Sequence, residues 1–182
     1  MKRQIVTPAV LPPAALAELK QWLGITAMQD DAPLAALLHA GLEMCEAFTG
    51  LMPVEAECEE VWPASGAWQS LATRPVQAIT QVEAIDAGGT RTVLAANVYA
   101  LDLDADGTGR VRLIDAGTAT RIAVRFTAGL APDWDSLPEA LRHGVLRLAA
   151  HQHRERETSG GAPLPPAAVA ALWRPWRRLR LA

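Results

Sequence analysis

Residues 48–60, "FTGLMPVEAECEE", hold the change of rhythm that decides the fold of this chain. Before this stretch the apolar residues recur at three-four spacing, and after it they recur every second residue. Upstream, Leu34, Leu37, Leu38, Gly41, Cys45 and Phe48 share one helical stripe behind the candidate caps Asp30 and Asp31, and Gly50 with Pro53 supplies the stop. The spacing predicts a core-facing helix over about residues 32–49. Before it, Pro12-Pro13 opens a shorter helix over about 13–24, in which Leu16, Leu19 and Leu23 share a face and Gly24 is a natural end.

Downstream, Val54, Ala56 and Cys58 alternate with Glu55, Glu57 and Glu59, the pattern of a strand over about 54–61 with one wet, strongly acidic face. Further strands are expected at about 76–86, 90–94, 98–103, 110–114 and 121–127. The separators Ala87-Gly88-Gly89, Asp106-Gly107-Thr108-Gly109 and Asp115-Ala116-Gly117 are turn chemistry, so neighbours in sequence should pair as antiparallel hairpins. A last long helix over about 137–157 starts at "SLPE", where Ser136 and Glu139 form a capping box and Pro138 fits the first turn. Its stripe is Leu137, Leu141, Val145, Leu148 and Gln152, and Ser159-Gly160-Gly161 ends it. Helices, then strands, then a helix and a tail make an α+β order with no internal repeat.

The 182 residues are the size of one ordinary domain, and with 50% hydrophobic and 20% charged residues they can build a core. No apolar run approaches the roughly 20 residues that cross a bilayer, and the first residues lack the continuous apolar stretch of a signal peptide. A soluble protein made in the cytoplasm is expected. Cys45 and Cys58 lack the number and spacing of a disulfide framework or a zinc site and are expected to be reduced and buried. The net charge of -3 hides a polarity. Residues 21–73 carry eight acids and no Lys or Arg, whereas from Leu141 onward eight arginines face only Glu155 and Glu157. Such an asymmetry can orient copies or partners, and it is equally compatible with ordinary solvated surface.

Two strings imitate metal sites. "DLDADGTGRVRL", residues 102–113, begins like a calcium loop, but its ninth position is Arg110 and its twelfth is Leu113 instead of a bidentate carboxylate. Both flanks read as strands. Keeping Leu103 opposite Val111 places Asp102 opposite Arg112 and Asp104 opposite Arg110, so the carboxylates gain guanidinium partners and need no cation. In "HQHRERE", residues 151–157, His151 and His153 point about 200° apart on a helix and cannot clamp one ion. His151 with Glu155 is only a two-ligand i,i+4 pair. A P-loop, a dinucleotide glycine fingerprint, a GxSxG elbow and an HExxH motif are all missing, so neither a cofactor nor catalysis is expected. The tail "LWRPWRRLRLA" combines the residue types most enriched at binding hot spots, Trp173 and Trp176 with Arg174, Arg177, Arg178 and Arg180. A nucleic-acid backbone, a membrane surface and a protein pocket all suit this mixture, and so does a tail folded back on its own body.

Several strings in order resemble the head-to-tail connector, or adaptor, proteins of long-tailed bacteriophages and gene transfer agents. They are "DDAPLAALLHAGLEMCEAFTG", "TRPVQAITQVEAID", "VRFTAGLAPDWDSLPEALRHGVLRLAAHQHRERE" and the closing "LPPAAVAALWRPWRRLRLA", covering the chain from about Pro12 to its end. The resemblance implies a non-enzymatic virion protein with one α+β connector domain over 1–162 and a docking tail over 163–182. It implies a homo-oligomeric ring, usually a dodecamer, beneath the portal protein, with DNA passing through without sequence-specific binding. The other surface would meet a stopper or tail-terminator protein, with no membrane involved. It assigns Trp173, Arg174, Trp176, Arg177, Arg178 and Arg180 to portal docking. The alternative from composition alone is a basic-tailed nucleic-acid-binding accessory protein.

Overall fold

In the computed structural model, which describes residues 2–155 and 165–177, the fold is α+β. The chain divides into two compact units: Met1–Ala9 with Glu55–Leu130 form a β unit, and Val10–Val54 with Ala131–Ala182 form a helical unit. The change of period after Thr49-Gly50 is where the chain leaves one for the other.

The β unit contains β1 (Lys2–Thr7), β2 (Ala56–Pro63), β3 (Gln69–Ser70), β4 (Val76–Ile85), β5 (Arg91–Val93), β6 (Tyr99–Leu103), β7 (Gly109–Leu113) and β8 (Arg121–Ala128). A five-stranded sheet has the order β1-β2-β8-β4-β5 and a three-stranded sheet the order β3-β7-β6, with antiparallel pairing throughout. The central strand β8, flanked by β2 and β4, buries Ile122, Ala123 and Val124 in succession. Cys58, Trp62, Ile122, Val124 and Phe126 share one face through the pairs Cys58↔Phe126 and Trp62↔Ile122, and together with Val82, Leu71 and Val111 they make the core. The sequence reading did not anticipate β1. All six of its residues are exposed, so no apolar alternation marks it, and pairing with β2 alone makes it a strand.

The helical unit contains α1 (Pro13–Leu23), α2 (Asp31–Thr49), α3 (Glu139–Glu155) and α4 (Ala167–Trp173), which runs into a 3₁₀ turn over Arg174–Trp176. Gly24 and Gly50 end α1 and α2 with φ of 72° and 76°, the left-handed conformation that glycine adopts without a Cβ clash. Lys20 Nζ meets Asp31 Oδ1 at 2.6 Å and ties the end of α1 to the start of α2. The capping box expected at Ser136 gives way to a different turn. Here Asp133 Oδ1 accepts from the Ser136 backbone N–H at 2.8 Å, and α3 starts one step beyond Pro138. Residues 156 and 157, the last of the helix expected there, lie outside the described residues.

Two small residues set how closely these helices approach. A Cβ on Gly41 of α2 would lie 3.0 Å from Val145 Cγ1 of α3, so the absence of a side chain lets the helices touch. A Cβ on Gly144 of α3 would lie 2.1 Å from Nε1 of Trp173, inside the space that the indole fills. Trp173 is fully buried there, and its Nε1–H donates to the Leu141 carbonyl at 3.3 Å, which meets the polar requirement of a buried indole. Gly144→Ala should therefore push α4 off α3 and destabilise the helical unit by about 1–3 kcal/mol, the usual cost of overpacking. Denaturant unfolding followed by tryptophan emission checks this, with Gly88→Ala as a control in an exposed turn of the β unit.

Candidate functional site

The acidic face expected on β2 stays partly wet at Glu55 and Glu57, which are half-buried, but not at Glu59. Glu59 is nearly buried, with Arg91 of β5 forking onto both its oxygens at 2.8 Å each and Arg125 Nε of β8 3.2 Å from Oε2. Arg91 also reaches Glu83 Oε2 of β4 at 3.1 Å, and Gln81 Nε2 donates to the other Glu83 oxygen at 2.6 Å. The guanidinium of Arg91, followed by that of Arg125, holds the Glu59 carboxyl below its ordinary value near 4.5 against the opposing effect of burial. The same contacts raise the Arg91 pKa. Pairing across four strands neutralises Glu59 and Glu83 with Arg91 and Arg125. The neighbouring Glu60 points to the other face and is fully buried. It accepts from the backbone N–H groups of Ala72 and Thr73 at 3.0 and 2.9 Å and from the Thr73 hydroxyl at 2.8 Å. A groove of about 520 Å³ opens beside the Glu59 cluster, lined by Lys2, Gln4, Val61, Arg91 and Arg121 among others.

The hairpin at 102–113 has a different register from the one expected. Leu101 faces Val111, Leu103 faces Gly109, and Asp102 faces Arg110. Both registers keep the apolar residues on one face, because they differ by two residues and the strand period is two. The turn decides between them. Asp104 N–H donates to Thr108 O at 2.9 Å, and Gly107 N–H donates to Asp104 O at 2.9 Å, with Gly107 at φ 77°. A side chain on Gly107 would also strike Pro75, whose Cβ lies 2.4 Å from the position of the added carbon. Arg110 alone serves both carboxylates, Asp102 Oδ2 at 3.3 Å and Asp104 in a shorter contact. Arg112 turns to the Trp68 ring, 4.9 Å from its centroid, instead of to Asp102. The Asp106 carboxylate accepts from Thr108 N–H at 2.9 Å.

In the tail, Trp173 belongs to the interior of the helical unit and leaves the set of residues that could meet a partner. Arg174 is exposed, Trp176 is half-buried, and the Arg177 guanidinium stands over the Phe48 ring at 5.5 Å. Arg178 and Arg180 lie outside the described residues. His151 Nε2 lies 3.0 Å from Glu155 Oε2. Among the described residues no group of three or more His, Cys, Asp or Glu side chains is placed to hold a metal ion, and no helix is long and apolar enough to cross a membrane. Both cysteines are buried and neither is in a disulfide, and burial pushes the Cys45 thiol up to about 12. Sequence reasoning missed Glu59, Glu83, Arg91 and Arg125 as a group. The signal was there in Arg121 and Arg125, which recur on one face of β8, but which strands lie beside it is not written in the sequence.

The described residues thus present an internally paired charge cluster on one sheet face, an acidic hairpin, and the exposed Arg174 and Arg177 after the buried Trp173. No family profile and no curated protein matches this sequence. Solved structures do. The chain matches one from the neck of a native gene transfer agent particle, computed with C12 symmetry, at 30% identity and TM-score 0.78, covering 100% of this chain and 98% of that one. It matches another from the neck of an empty particle, computed with C6 symmetry, at 28% identity, TM-score 0.78 and the same coverage. A chain of the virion of a native gene transfer agent particle gives 28% identity and TM-score 0.74, again with 100% and 98% covered. The chain belongs to the family of these gene transfer agent neck proteins, structural components of the virion.

The cluster has a measurable pH signature. Glu59 has a lowered folded-state pKa, so its contribution is present above the unfolded value near 4.5 and is lost as pH falls through the folded one. Glu59→Gln should cost about 1–3 kcal/mol at pH 7, discounted for the partial exposure of both arginines. The gap from the unsubstituted chain should shrink steadily as pH falls below about 4.5. Denaturant titrations of both proteins from pH 7 to pH 3 check it, and a gap independent of pH would contradict the charge pairing.

Proposed function

We propose that this chain is the head-to-tail connector, or adaptor, subunit of a gene transfer agent or phage particle. It forms a ring, of twelve copies in the usual arrangement, beneath the portal, extends the DNA tunnel, and offers its other surface to the stopper or tail terminator. The observation that carries this reading is the full-length likeness to chains from particle necks computed with C12 and C6 symmetry. The role is mechanical. A ring of identical subunits needs head-to-tail contact between unlike patches, and this chain has an acid-rich first half and an arginine-rich end.

The pairing of Arg91, Arg125 and Arg110 with carboxylates favours DNA passage over DNA capture, because non-specific affinity rises with each cation able to reach a phosphate. The tail supports portal docking through Arg174, Trp176 and Arg177, continued by Arg178 and Arg180. Burial of Trp173 gives this segment a fixed root, which lowers the entropy lost when it docks. A docking tail should therefore be tested beyond Trp173.

Electron microscopy of purified particles should place a ring of this chain between portal and tail. The double variant Arg174→Glu/Trp176→Ala should keep its unfolding transition and bind portal-bearing heads at least about tenfold more weakly, as expected where two hot-spot residues are lost. Undiminished attachment would remove these residues from the portal contact. Steep salt dependence of DNA binding by the isolated chain, with no ring in particles, would instead favour the nucleic-acid-binding accessory protein.

A further inference from the structure

The β unit leaves two open sheet edges that match each other. β1 is one edge of the five-stranded sheet, and β6 is one edge of the three-stranded sheet. Large apolar side chains are exposed on both: Ile5 and Val6 on β1, and Leu101 and Leu103 on β6. Solitary proteins blunt such edges with short strands, inward charges or covering loops, since an open apolar edge recruits another strand. Among the described residues β1 carries Lys2 and Arg3 and a register shift between Ile5 and Thr7, and Ile5, Leu101 and Leu103 nonetheless remain exposed along the two edges.

The hydrogen-bond phase of each edge follows from its inner neighbour. Ala64 N–H donates to Thr120 O, in line with the β2–β8 register, so the even residues of β2 bond to β8 and Glu59 and Val61 turn their backbone groups toward β1. Glu59 and Val61 pair with Gln4 and Lys2, which leaves the N–H and C=O of Ile5 directed away from β2. On the other edge, Ile114 N–H donates to Val98 O and Asp104 N–H to Thr108 O. Those bonds place Ala100 and Asp102 toward β7 and turn the backbone groups of Leu101 and Leu103 outward.

From this we infer that β1 of one copy adds to β6 of the next as an antiparallel strand, with Ile5 opposite Leu101, joining neighbouring subunits of the ring. The inference deepens the ring-forming reading above and rests on it. In that register Ile5 meets Leu101 on one face, with the Arg3 side chain opposite Leu103, while on the other Gln4 falls opposite Asp102, Lys2 opposite Asp104 and Val6 opposite Ala100. The charges agree. One guanidinium, Arg110, serves two carboxylates, so the β6 edge keeps a net negative charge for the exposed Lys2 to meet. Parallel addition with Ile5 opposite Leu101 would move Lys2 opposite Val98 and forfeit this match. The other edge of the five-stranded sheet, β5, is less suited, because it presents Arg91 to a strand that begins with Lys2-Arg3. Since the two patches are different, the contact is heterologous and propagates from copy to copy, as closure of a ring requires.

The test uses the full-length chain assembled into particles. A hydrogen-bonded antiparallel pair sets its Cα atoms about 5.5 Å apart, within reach of a disulfide. Ile5→Cys/Leu101→Cys, oxidised in the assembled neck, should run without reductant as a ladder of linked chains. Ile5→Cys/Asp102→Cys, whose second thiol lies on the opposite face, should not. Independently, Lys2→Glu should lower ring occupancy about threefold to fivefold, and adding Asp104→Lys should restore it. A ring visible by microscopy with no ladder, or with no rescue by the charge exchange, overturns the edge pairing and leaves the ring reading standing. Absence of any ring overturns both.

Discussion

Two adjacent carboxylates on β2 organise the β unit. Glu59 and Glu60 point to opposite faces of the strand, both are buried, and a buried carboxylate is tolerated only with donors around it. Glu59 draws in Arg91 and Arg125, so β2, β8 and β5 are tied across the sheet, and Glu83 brings in β4 through the same guanidinium. Glu60 collects the amides of Ala72 and Thr73 and pins the segment that leads from β3 into β4. The four strands around β2 thus owe their relative placement to polar contacts as much as to the apolar face that holds Cys58, Ile122, Val124 and Phe126.

The helical unit relies on the opposite device, the absence of atoms. Gly41 admits Val145, and Gly144 admits the indole of Trp173. With the indole buried and its N–H satisfied by Leu141, α4 is fastened, and the arginines that follow start from a fixed point. In a tail of alternating Trp and Arg, one tryptophan, Trp173, thus serves the interior, while Arg174 stays exposed.

The alternation of side chains made the helices at Pro13–Leu23 and Asp31–Thr49 and most strands legible, because burying one face imposes a period on the sequence. β1 was not legible, since a wholly exposed edge strand buries nothing and so leaves no pattern. The hairpin register was narrowed to alternatives that differ by two residues, and alternation cannot separate them. Residue type misled at Glu59, where an acid at an outward position looked solvated, and at Trp173, where an indole beside arginines looked like an anchor for a partner.

By itself the sequence determined the α+β class, the site of the change from helix to strand, the turns at glycine, and the resemblance to head-to-tail connectors, because each is carried by local spacing or by strings of residues in order. Only the tertiary structure decided that Glu59 is neutralised by Arg91 and Arg125, that Arg110 serves both aspartates while Arg112 covers Trp68, and that Trp173 is core. The physical reason is the same in each case. A charge or an indole is satisfied by whatever group the fold brings within a few ångströms, and here those groups stand up to 66 residues away along the chain.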